Sequence, residues 1–63
     1  MDTTILTNEE IYARIKVLKE ENLRFLDEKR EFEMMGYYHR AEMCAVYVNE
    51  NSMEIMKLRE KVP

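Results

Sequence analysis

Met34-Met35-Gly36-Tyr37-Tyr38-His39-Arg40-Ala41 is the stretch on which the fold turns, because Gly36 is the single glycine of a 63-residue chain that has one proline, at its end. Sheets and irregular folds need turn residues at many places. A chain rich in Glu, Lys, Arg, Leu, Met and Ala, with one internal breaker, reads as helix on either side of it.

Upstream of the glycine, Ile11, Leu18, Phe25 and Phe32 recur every seven residues, with Ile15, Asn22 and Lys29 at the complementary position. That is a narrow helical seam of the kind one helix shows another. Downstream, Ala41, Val48, Ile55 and Val62 form one series and Cys44, Asn51 and Leu58 the other. Continuing the first frame would instead put Glu50, Lys57, His39 and Glu60 on the seam. The two frames are five residues out of phase, unlike the usual three- or four-residue discontinuity of a continuous coil. A break between about 35 and 40 explains the shift, with Gly36 as the hinge that supplies the positive φ of a helix C-cap.

The expected fold is all-α: an antiparallel two-helix hairpin, dimerising into a four-helix bundle. A flexible arm occupies 1–7, helix 1 about 8–35, the turn about 36–39 and helix 2 about 40–62. Thr7-Asn8-Glu9-Glu10 matches a capping box, with Ile5 or Leu6 able to staple against Ile11. Pro63 closes helix 2. Asn49-Glu50-Asn51-Ser52 is a weak helical stretch where Asn51 and Glu54 could cap a new helix, although the heptad running through it argues for continuity.

Folding the seams together pairs residues whose numbers sum to about 73. Phe32 meets Ala41, Phe25 meets Val48, Leu18 meets Ile55, Ile15 meets Leu58 and Ile11 meets Val62. Asn22 then falls opposite Asn51, where facing amides can satisfy each other and fix the register.

So short a chain buries little of its surface, and its one cysteine rules out an internal disulfide. Beyond the seam lie Tyr12, Leu23, Leu26, Met43, Val46, Tyr47, Met53 and Met56, the residues expected to cover themselves in a homodimer. The six methionines add side chains that adapt to a core or to a partner groove.

Composition bounds the function classes. With 46% hydrophobic and 37% charged residues the chain is too apolar for disorder and too charged for a membrane span. Residues 1–36 carry six basic against nine acidic side chains and residues 37–63 four of each, so no basic face favours nucleic acid. The acidic N-terminal stretch lacks the basic region of a signal peptide, and a lone cysteine suits a reducing compartment; both point to the cytoplasm.

No constellation carries chemistry. His39, Glu42 and Cys44 fall short of a zinc set, and His-x-x-Glu reverses the order used in di-iron bundles. The five-residue spacing of His39 and Cys44 suits no helical catalytic pair, and no phosphate loop or Ser/His/Asp set is present. The expectation is therefore no enzyme, no metal and no cofactor. The tip, Tyr37, Tyr38, His39 and Arg40, concentrates residue types found in binding hot spots, and these types also stack on bases. The function expected is a non-enzymatic interaction module that regulates, inhibits or adapts a larger protein. A purely structural oligomerisation element and a nucleic-acid-binding hairpin follow.

Overall fold

A computed structural model describes residues 6–63. Two helices, α1 over Asn8–Met35 and α2 over Tyr38–Arg59, pack against each other, and among the described residues there is no strand. Each boundary has a local cause. Thr7 is extended (φ −72°, ψ 164°) and its Oγ1 accepts from the Glu10 backbone N–H at 3.2 Å. The Glu10 carboxylate in turn accepts from the Thr7 N–H at 2.8 Å, closing the capping box. Glu9 and Glu10 place negative charge at the positive end of the helix dipole. Ile5, one of the two expected staple residues, lies outside the described residues, as do positions 1–4 of the expected arm; Leu6 is exposed.

At the other end of α1, Gly36 sits in the left-handed region at φ 85°, ψ 10°. Its N–H donates to the Glu33 carbonyl at 3.2 Å, and the Tyr37 N–H donates to the Phe32 carbonyl at 2.8 Å. These are the two bonds of a Schellman motif, which satisfies the last carbonyls of α1 and reverses the chain. The apolar contact that accompanies such motifs is present too: the Phe32 and Tyr37 rings meet edge to face at 6.5 Å.

The turn is shorter than the 36–39 read from the sequence. Tyr38 and His39 are already helical, because the Ala41 N–H reaches back to the Tyr37 carbonyl at 3.1 Å. Tyr37 caps α2 without a side-chain hydrogen bond, so the helix start carries no local sequence signal and is imposed by the reversal itself. The distal boundary also moves, from 62 to Arg59. Lys61 and Val62 donate to carbonyls three residues back, a tightened final turn, and the residue before Pro63 is disfavoured in helix. Helix α2 runs unbroken through Asn49–Ser52.

The seam is best closed at the end of the hairpin away from the turn, where the start of α1 meets the end of α2. Ile11, Ile15, Leu18, Ile55 and Leu58 form one buried cluster with Val62 against it. These are the residues paired by the sum of 73. Toward the turn only Ala41 and Cys44 are buried, while Phe25, Phe32 and Val48 are partly exposed. Large rings facing small residues leave their outer edges in solvent. Phe25, expected over Val48, tilts against Tyr47, with ring centres 5.3 Å apart.

The two asparagine amides, expected to face each other, do not. Asn22 and Asn51 lie at the same level but do not bond each other. Asn22 Nδ2 donates weakly to Ser52 Oγ at 3.5 Å, and Asn51 Nδ2 donates to Glu21 Oε1 at 3.2 Å. Each amide reaches the residue beside its expected partner, because the two side chains lean to opposite edges of the seam. Asn22 Oδ1 is left buried with no hydrogen-bond partner.

Candidate interaction surface

The tip follows directly from the Schellman turn. By directing Tyr37 back to Phe32, the turn sets two rings edge to face at the end of the hairpin, and the first turn of α2 brings Arg40 to them. The Arg40 guanidinium carbon lies 6.0 Å from the Phe32 ring centre and 5.7 Å from that of Tyr37, within cation–π range. Tyr38 and His39 project outward, Tyr38 with 69% of its surface exposed. Gly36, Tyr37, Tyr38, His39 and Arg40 line an open concavity of about 410 Å³. All four tip residues singled out in the sequence thus share one end of the hairpin, two as a braced pair (Tyr37, Arg40) and two facing solvent (Tyr38, His39). Phe32, a seam residue by its heptad position, is also the platform for that pair. The Schellman rule linking the residue after the glycine to one five positions earlier is the signal that finds it.

Contacts across the seam define two edges. Asn22 and Ser52 meet on one. On the other lie the Arg14–Glu54 ion pair at 3.3 Å, the Glu21–Asn51 bond and the Phe25–Tyr47 stack. Helical spacing then assigns the remaining apolar side chains. Tyr12, Leu23 and Leu26 on α1, with Met56 on α2, belong to the Asn22–Ser52 edge. Met43 and Tyr47 belong to the opposite edge, while Val46 and Met53 sit on the back of α2. All eight are exposed. The residues expected to mediate self-association therefore divide over three surfaces. The ion pair Arg14–Glu54 and the hydrogen-bonding roles of Glu21 and Ser52 had no counterpart in the sequence reading, since they depend on how far each helix is rotated about its own axis.

Cys44 is a free thiol buried in the seam. Among the described residues, no group of three His, Cys, Asp or Glu side chains is placed to hold a metal ion. None of the described helices is long and apolar enough to cross a membrane. No family model, curated protein or solved structure matches the chain.

Proposed function

We propose that the chain is a non-enzymatic protein–protein interaction module, acting in the cytoplasm as a small regulator, inhibitor or adaptor of a larger protein. In this reading two hairpins associate into a four-helix bundle and the tip receives the partner. The observation that carries it is the amount of apolar side chain left in water. Among the described residues seven are buried, whereas Tyr12, Leu23, Leu26, Tyr38, Met53 and Met56 are each about half exposed or more. Surface of that kind, spread over several sides of a 45 × 21 × 16 Å rod, favours covering by protein. A braced Tyr–Arg pair with a neighbouring exposed Tyr is the composition of a binding hot spot.

The purely structural alternative, an oligomerisation element with no further partner, is favoured by the same scatter of apolar residues over more than one surface. The two readings separate in a pull-down from the native host, comparing the unaltered chain with a Tyr38→Ala, Arg40→Ala double variant. A protein retained by the first and lost by the second supports the regulator. Equal retention, or complete concealment of the apolar side chains within an oligomer, supports the structural element.

A further inference from the structure

We propose that the Asn22–Ser52 edge is where a second copy of this chain docks, with the hairpins side by side in the same direction, α1 of each lying across α2 of the other. The inference rests on the self-association reading above and specifies its geometry.

The charge pattern of that edge decides the pairing. Along α1 it presents Lys16, Lys19 and Arg30 between Tyr12, Leu23 and Leu26, and its one acidic side chain beside them, Glu33, is already paired with Lys29 at 2.8 Å; along α2 it presents Glu42 and Glu60, with Arg59 next to Glu60, among Ala45, Asn49 and Met56. Two rotations can bring the edge of one copy onto the same edge of another. A rotation about an axis across the hairpin lays α1 on α1 and gathers the lysines and arginines of both copies into one row, which costs free energy. A rotation about the long axis lays α1 on α2 and preserves levels, so the sum-of-73 rule now operates between copies. Arg30 then meets Glu42, Leu26 meets Ala45, Lys16 reaches Met56 and Glu60, and the Arg59 guanidinium comes to the Tyr12 ring. Every contact occurs twice by symmetry. The face itself is large enough: its 45 by 21 Å extent is of the order of the ~800 Å² per partner in a standard interface. One consequence is that both Tyr–His–Arg tips lie at the same end, forming a two-fold platform for a bivalent partner.

The test combines a charge-swap cycle with a distance, both on the full chain. Arg30→Glu and Glu42→Arg each set like charges together twice per dimer, and each is expected to weaken dimerisation roughly tenfold by sedimentation equilibrium. The double variant is expected to recover the original affinity. Circular dichroism checks that the variants remain helical, as expected for two exposed positions. Independently, a spin label at Met34→Cys, with Cys44→Ala, reads the orientation. Copies pointing the same way put the labels within about 25 Å, two to three helix diameters. Copies pointing opposite ways separate them by about 40 Å along the axis. A dimer with distant labels, or a double variant no tighter than the singles, overturns this arrangement while leaving self-association standing. A chain that stays monomeric at high concentration overturns both.

Discussion

Replacing Asn22 by leucine should stabilise the fold, although it removes a polar residue from a seam that two asparagines share. Asn22 Oδ1 is buried without a partner, and its amide nitrogen makes only a 3.5 Å bond to Ser52. An unsatisfied buried acceptor costs about 1–3 kcal/mol, and the marginal bond returns at most about 0.5 kcal/mol. Because the residue as a whole is only partly buried, the lower part of the range applies. Leucine adds apolar burial between Leu18 and Phe25. The expected net gain is about 1–1.5 kcal/mol, which corresponds to a rise of roughly 7–12 °C in Tm for a domain of this size. Asn51→Leu should behave differently. Its amide donates to the Glu21 carboxylate at 3.2 Å, and losing a bond to a charged acceptor offsets the apolar gain, so its effect should lie within about 0.5 kcal/mol of zero. Since the two amides do not touch each other, the double variant should equal the sum of the singles to within ~0.5 kcal/mol. Urea denaturation at fixed protein concentration, with mass measured in parallel, reads all three. Destabilisation by Asn22→Leu, or a coupling above ~1 kcal/mol between the two sites, would refute the reasoning and restore a direct amide pair.

Other substitutions probe the turn, the cap and the seam. Gly36→Ala should cost about 1–2 kcal/mol, entirely from the left-handed backbone, because nothing lies within 4 Å of an added Cβ; Gly36→Val should cost more, Gly36→Asn less, and the valine variant is expected to shift toward swapped, larger species in light scattering. Thr7→Ala removes one half of the capping box and should lower stability by ~1 kcal/mol in a thermal melt, with fraying confined to the first turn in hydrogen exchange. Leu18→Ala, at the most buried side chain of the core, should cost about 3 kcal/mol or more and leave little helical signal. Leu26→Ala, on the exposed edge, should leave unfolding of the monomer within ~0.5 kcal/mol and act instead on self-association.

How far the molecule was legible in its sequence differs from link to link. Two out-of-phase heptad frames and one glycine were enough for the hairpin, because apolar periodicity and a required positive φ are local signals with strong physical causes. The cluster of Ile11, Ile15, Leu18, Ile55 and Leu58 follows from the same frames. The Asn22–Asn51 bond did not, because a shared level does not fix side-chain direction; a small rotation of each helix sends one amide to Ser52 and the other to Glu21. The start of α2 at Tyr38 was hidden for another reason: no capping side chain marks it, and the Schellman reversal alone sets it. The tip residues were visible as a composition. Their bracing against Phe32 emerges only once the backbone of Gly36 is placed. The eight exposed apolar residues were legible as surplus, but their division between two edges and the back of α2 depends on which edge each helix presents.

The distance between the two helix ends tests the reversal at Gly36 most directly. With Cys44→Ala as background, spin labels at Asn8→Cys and Glu60→Cys, diluted in unlabelled chain, should give a separation of about 20 Å or less, the span of two packed helices. A single unbroken rod would place the same labels roughly 75 Å apart at 1.5 Å per residue, and a distance of that size would contradict the hairpin and the surfaces built upon it.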